Sequence, residues 1–210
     1  MTTEPTDEEL LDRIASGDQE ALASIFRRHH ATVYRFSRQM LGSPQAAEDV
    51  TQDVFVALAK GAGRFNPGAS ALSTYLYGIA RNLVLQRHKR RRARAEVNID
   101  VAAGEDEAAF AASADQIEVL SRAQATRQLR EAILRLPVHY REVIVMCELN
   151  GLSYEEAAQI AACPVGTIRS RLSRARQMLI ERCRTRLTNR DERQNSEGTK
   201  RWLIATKHNG

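Results

Sequence analysis

Apolar positions recur at the helical period along almost the whole chain, and the polar residues between them supply helix starts and stops. Thr6-x-x-Glu9 has the spacing of a capping box and leads into Leu10, Leu11 and Ile14. Asp18 caps a long helix that places Leu22, Ile25, Phe26, Val33, Phe36 and Met40 inward and stops at Gly42. Ser43-Pro44 restarts the chain with a serine cap and a first-turn proline. That third helix runs to about Lys60, with Ala47, Val50, Val54 and Leu58 as its apolar stripe. Gly61 to Gly68 is a loop by its Gly, Asn and Pro content. A fourth helix aligns Leu72, Leu76, Ile79 and Leu83 and ends in the basic run Arg87 to Arg92.

A second helical body starts near Arg122 with Leu129, Ile133 and Leu136 inward, broken by Pro137. The next helix contributes Val143, Ile144 and Cys147 and stops at Asn150-Gly151. Ser153-x-x-Glu156 is another capping box, opening a short helix with Ala157, Ala158 and Ile160. Ala162-Cys163-Pro164 turns tightly into a last helix from about Val165 to Arg186. No β-hairpin signal occurs, so the expected fold is all-α. It comprises two small helical domains, 1–95 and 122–187, a flexible acidic linker over 96–121 and a flexible tail over 188–210.

Charge sharpens this division. The formal net charge of +5 conceals strong alternation. Residues 61–95 carry eight bases and no acid, 96–120 seven acids and no base, and 165–190 eight bases against one acid. Two basic blocks on separately delimited helices point to two anionic binding surfaces. The longest aliphatic run, Val143 to Cys147, is too short to span a bilayer. Met1 to Leu10 holds four acids and no base, unlike a secretory leader. The three cysteines, Cys147, Cys163 and Cys183, have no CxxC spacing. A cytoplasmic protein without membrane insertion, metal or cofactor is the expectation.

The helices over 153–162 and 165–186 form a helix-turn-helix arrangement. Projection at 100° per residue puts Ile168, Leu172, Ala175 and Leu179 on the core stripe. The opposite face carries Gly166, Ser170, Ser173 and Gln177, flanked by Arg169 and Arg176 on one side and by Arg171 and Arg174 on the other. Small residues let such a face sink into a major groove while the arginines reach phosphates or guanine edges. The other basic block sets Arg64, Phe65, Tyr75 and Tyr77 beside Arg81, Asn82 and Arg87 to Arg92. Rings beside guanidinium groups suit unstacked bases. A packed Tyr75, one position from the Leu72/Leu76/Ile79 stripe, and a solvated helix end at Arg87 to Arg92 stand beside that reading. The third helix turns Glu48, Asp49, Gln52, Val56 and Ala59 outward, an acidic rim around a valine that suits a basic, partly apolar protein.

These residues carry a resemblance. The stretch Ala47-Glu48-Asp49-Val50-Thr51-Gln52-Asp53-Val54-Phe55, followed by Tyr75-Leu76-Tyr77-Gly78-Ile79-Ala80-Arg81-Asn82, resembles region two of bacterial extracytoplasmic-function (ECF) sigma factors of the sigma-70 family. Leu136-Pro137, Arg141-Glu142, Gly151 to Ala158 and Gly166 to Arg176 resemble region four of the same family. The likeness spans about 8–95 and 122–187. It implies a dissociable specificity subunit that directs core RNA polymerase to promoters and helps melt them, with no covalent chemistry. Region two of such proteins binds the polymerase clamp helices, here through the helix over 46–60 with Glu48, Asp49, Gln52, Asp53 and Val56. It also captures single-stranded promoter DNA at the downstream element, here matching Arg64, Phe65, Asn66, Tyr75, Tyr77, Arg81, Asn82, Arg87, Lys89 and Arg90. Region four enters the upstream element as a duplex and rests on the polymerase flap. Its matching DNA contacts are Gly166, Thr167, Arg169, Ser170, Arg171, Ser173, Arg174 and Arg176.

The family's linker threads toward the RNA exit path, which suits the acidic 96–120 block, and an anti-sigma factor is its usual control. Tyr75 stands where the family usually has tryptophan, and Ala157 where it usually has isoleucine. The alternative reading is a stand-alone helix-turn-helix regulator that never joins polymerase. It leaves the acidic helix face and acidic linker without a role. An enzyme is disfavoured, because His29, His30, His88, His139 and His208 form no metal or nucleophile pattern and no phosphate-binding glycine loop is present.

Overall fold

The structure, a computed structural model, describes residues 4–68, 70–97, 114–182 and 184. Helix α1 (Asp7–Ala15) starts at a complete capping box, with the Thr6 hydroxyl accepting from the Glu9 N–H and Glu9 accepting from the Thr6 N–H. Helix α2 (Gln19–Leu41) is capped by Asp18 and ends at Gly42, whose φ of 78° is left-handed. Helix α3 (Pro44–Gly61) is capped by Ser43, and a 3-10 turn (Ala62–Arg64) leads toward α4 (Leu72–Val97). Helix α2 packs on α1, α3 and α4, and α3 packs on α4. Their core holds Leu10, Ile25, Phe36, Met40, Val50, Val54, Leu58 and Leu76, each fully buried.

Phe26, Ile79 and Leu83, expected inward in this body, are not fully buried. Phe26 is 37% exposed, because it lies one residue, about 100° of helix rotation, from the buried Ile25. Its ring rests on His30 and edge-on to Phe55 at the rim of the α2–α3 contact. On α4 the buried track is Leu72, Leu76, Tyr77, Ala80 and Val84, which leaves Ile79 and Leu83 half-buried.

In the second body α5 spans Ala114–Leu134, so helix already occupies 114–121 of the expected linker. The rest of that acidic segment, 98–113, and the tail over 188–210 lie outside the described residues. Leu129, expected inward, is 43% exposed; among the described side chains of α5 the buried ones are Ala132 and Ile133, near the packing of α5 on α2. Helix α6 (Val138–Val143) runs into a π-helical turn (Ile144–Leu149) that ends at Asn150 and Gly151, φ 69°. Helix α7 (Tyr154–Ala161) carries the second complete capping box, through Ser153 and Glu156. Ala162 then adopts a left-handed φ of 50°, and α8 follows over 165–182 with Ile168, Leu172 and Ala175 buried. No strand occurs among the described residues.

The two bodies pack against each other, α4 on α7 and α2 on α5 and the π-turn. Arg141 crosses this seam to donate to the Met40 carbonyl at 2.6 Å, and Asn150 Nδ2 donates to Gln39 Oε1 at 2.7 Å. A Cβ on Gly42 would stand 2.8 Å from Leu134 Cδ1, so glycine also permits the close approach of α5.

Candidate nucleic-acid interface

The arginine-rich face of α8 is built by its opposite face. Ile168, Leu172 and Ala175 are buried, and their 3.6-residue period turns Gly166, Arg169, Ser170, Ser173, Arg174 and Arg176 to solvent, with Thr167 and Arg171 half-buried. The Arg169 guanidinium lies 5.8 Å above the Tyr154 ring, a cation–π contact at the start of the helix. Arg176 is hydrogen-bonded to Glu148, which raises its already high pKa further. Ser170 donates back to the Thr167 carbonyl at 3.0 Å. Arg174 projects without a recorded partner among the described residues.

The second surface surrounds the start of α4. Phe65 and Tyr75 meet with ring centroids 5.3 Å apart, so Tyr75 is half-buried and packed as well as accessible. Asn66 is exposed, and its Oδ1 accepts from the Gly68 N–H at 3.0 Å. Asn82, Lys89 and Arg90 are exposed, with Arg81 and Arg87 half-buried. The Arg64 side chain lies outside the described residues. Tyr77 belongs elsewhere: it is 4% exposed, edge-on to Phe36 at 5.2 Å, and burial pushes its phenol pKa up. It is a core residue in this arrangement and offers no face to a base.

A cleft of about 670 Å³ runs along this surface. Tyr75, Gly78, Arg81 and Asn82 form one wall, and Gln159, Ile160 and Ala162 of the second body form the other. Tyr75, Arg81 and Asn82 thus look across this cleft toward α7, while Asn66, Lys89 and Arg90 lie outside it.

On α3, Gln52, Asp53 and Val56 are exposed and Glu48 and Asp49 half-buried, with Val56 at 51% exposure. Residues assigned to separate partners from the sequence meet here. Arg87 forks between Asp49 and Asp53, at 3.1 Å to each. All three side chains are part-exposed, so each contact contributes about 0–1 kcal/mol and yields readily to a competing charge.

The most connected pair belongs to the stretches that resemble region four but has no site role legible in the sequence. Arg141 and Glu142 are 8% and 1% exposed and sit at the seam. Arg141 donates to the carbonyls of Met40, Leu134 and Leu136, and burial lowers its pKa. Glu142 accepts from Arg81 of α4 and Arg171 of α8. The available signal was two opposite charges inside an otherwise apolar helical run, which a solvated face does not require. Among the described residues no group of three or more His, Cys, Asp and Glu could hold a metal ion, and no helix is long and apolar enough to cross a membrane.

Known proteins match both bodies. The family model for sigma-70 region 2 matches residues 25–94, and a model for sigma-70 region 4 matches 126–179. The ECF RNA polymerase sigma-E factor of Escherichia coli K12 is 34% identical over 184 residues, covering 85% of this chain and 95% of that protein. The RNA polymerase sigma-H factor of Pseudomonas aeruginosa is 32% identical over 185 residues, covering 85% and 94%. Among solved structures, the sigma factor RpoE in complex with the anti-sigma factor NepR from Bartonella quintana has a TM-score of 0.61 at 26% identity, covering 77% of this chain and 96% of that one. CnrH in complex with the cytosolic domain of CnrY has a TM-score of 0.60 at 25% identity, covering 83% and 95%. A stand-alone regulator accounts for the region 4 match alone and is not favoured. With both sigma regions in order along one chain, and relatives matched over nearly their full length, the chain belongs to the extracytoplasmic-function sigma factors of the sigma-70 family.

Proposed function

We propose that this chain, a sigma factor that directs core RNA polymerase to promoters, divides the work among three faces on two domains, 1–95 and 122–187. The α8 face from Gly166 to Arg176 enters the major groove of the upstream element. Phe65, Asn66, Tyr75, Arg81, Asn82, Arg87, Lys89 and Arg90 hold the downstream element once its strands separate, with Arg64 in the same loop. Glu48, Asp49, Gln52, Asp53 and Val56 on α3 meet the polymerase clamp, and the second domain meets the flap. Binding energy opens the duplex without a covalent step: base–ring stacking contributes about 1–3 kcal/mol per base, against a similar cost of unstacking. The work is cytoplasmic, where polymerase and promoter are. The similar sigma factor RpoE of Bartonella quintana has been solved with the anti-sigma factor NepR bound, and a partner of that kind is the natural regulator here.

The observation that carries the reading is the polarity of α8. Its core stripe is buried, and the face opposite combines small residues with the exposed Arg169, Arg174 and Arg176. The test is run-off transcription from a random promoter library with reconstituted core polymerase. Arg174→Ala should lose about 1–3 kcal/mol of promoter affinity and relax one upstream position if it reads a base. Absence of any enriched promoter with the wild-type chain would sink the assignment.

A further inference from the structure

The Glu142 carboxylate is an anion enclosed in protein, 1% exposed, and it is shared between the two domains. Arg81 on α4 reaches it with Nε at 2.8 Å and Nη2 at 3.3 Å, a two-pronged contact. Arg171 on α8 reaches the same carboxylate with Nη1 at 3.3 Å. Its neighbour Arg141 is committed to backbone carbonyls, so Glu142 is matched to these two guanidinium groups.

Arg81 belongs to the proposed strand-capture surface and Arg171 to the proposed groove-reading face. A carboxylate and a DNA phosphate offer a guanidinium the same two-oxygen geometry. Glu142 therefore sits where a phosphate of either DNA element would sit, with one arginine withdrawn from each surface. The same closure sets Gln159, Ile160 and Ala162 across the cleft from Tyr75 and Asn82. Charge withdrawal and steric cover coincide at one seam.

We infer that Glu142 is an internal phosphate mimic that latches the free sigma factor closed and holds its DNA affinity down until polymerase separates the domains. This rests on the assignment of Arg81 and Arg171 to the DNA surfaces. Opening returns Arg81 to water and leaves Glu142 paired with Arg171 of its own domain, so no buried charge is orphaned by release. The latch thus costs less to open than its burial suggests, and a partner that binds only the open form can shift the population.

The test uses the full-length chain without polymerase. Glu142→Gln keeps the side chain's shape and removes its charge, and Arg81→Gln breaks the latch from the other domain. Each variant is measured by small-angle scattering, and by fluorescence anisotropy on a random-sequence duplex of about 25 base pairs at low salt. Both should expand the molecule and tighten duplex binding by about 10-fold. The sign for Arg81→Gln is diagnostic, because losing a cation whose only role is phosphate contact weakens binding. Wild-type dimensions in both variants, or expansion without tighter binding, would overturn the latch. Run-off transcription by the wild-type holoenzyme reports on the sigma role separately, so failure of one does not imply failure of the other.

Discussion

Arg141→Met is the sharpest probe of how the two domains are joined. Arg141 is 8% exposed and donates through Nη1 to the Met40 carbonyl at 2.6 Å and through Nη2 to Leu136 at 3.2 Å, with Leu134 as a third acceptor. Leu134 and Leu136 lie at the C-terminal end of α5, where helix carbonyls lack intrahelical partners. Met40 belongs to the other domain. Methionine keeps the length and apolar stem, so no large cavity forms, but three carbonyls lose a charged donor. Hydrogen bonds to charged groups contribute about 1.5–3 kcal/mol each. Against that stands the cost of a buried guanidinium whose Nε has no partner. The balance is a loss of about 2–4 kcal/mol. Urea unfolding followed by circular dichroism should show the midpoint falling by about 1–2 M at unchanged slope. Arg141→Lys should recover less than half, since an ammonium cannot span the three acceptors. A loss below about 1 kcal/mol for the methionine variant would mean that desolvation cancels the hydrogen bonds and that Arg141 does not join the domains.

Gly42→Ala combines a left-handed φ of 78° with a Cβ placed 2.8 Å from Leu134 Cδ1, and should lower the melting temperature by about 3–8 °C. A change within error would show that α5 yields freely there. His88 gives a pH dependence with a defined sign. Burial lowers its pKa, and Arg141 and Arg91 add to the effect against an opposing hydrogen bond at Met40. The unfolded chain, with an ordinary value of about 6.5, therefore binds the proton first as pH falls. Stability is complete above about pH 6.5 and declines below it toward the folded-state pKa, at up to about 1.4 kcal/mol per pH unit. Urea midpoints across that window should flatten in His88→Asn; an unchanged slope would place the titration elsewhere. Asp7, whose pKa is held down by hydrogen bonds from Arg28 and His29 despite burial, titrates at more acid pH and does not confuse the measurement.

Local signals made most of the helices legible. Thr6/Glu9 and Ser153/Glu156 form the reciprocal bonds that their spacing implies, and Asp18, Ser43 and Gly42 cap where they should, because each motif closes within four residues of itself. The α8 face was legible for the same reason, as one helix projection determines it. Misplacements came where tertiary contact decides. Phe26, Leu129 and Tyr77 all lie on apolar stripes, yet which edge of a stripe is covered depends on the neighbouring helix. The π-turn at Ile144–Leu149 has no sequence signal, since its apolar run reads equally well as α-helix. The meeting of Arg81, Glu142 and Arg171 spans 61 and 29 residues of chain, beyond the reach of any local pattern.

That division has a functional counterpart. Within each domain the contacts are apolar and fully buried, through Phe36, Met40 and Leu58 on one side and Ile168, Leu172 and Met146 on the other. Between them the polar ties are Arg141 to Met40, Asn150 to Gln39 and Arg81 to Glu142, beside apolar packing of Leu134 at Gly42. An apolar seam would have to be exposed to water to open, at about 25 cal/mol per Å². The polar ties of this seam can exchange their partners one for one with water, so only its apolar part carries that cost. The same logic applies to Arg87, whose part-exposed fork to Asp49 and Asp53 ties α4 to α3. On the proposed assignments, a partner that takes Asp49 and Asp53 would release Arg87 toward DNA. On those assignments, engagement of polymerase at α3 would be coupled, through a single side chain, to positive charge at the downstream element.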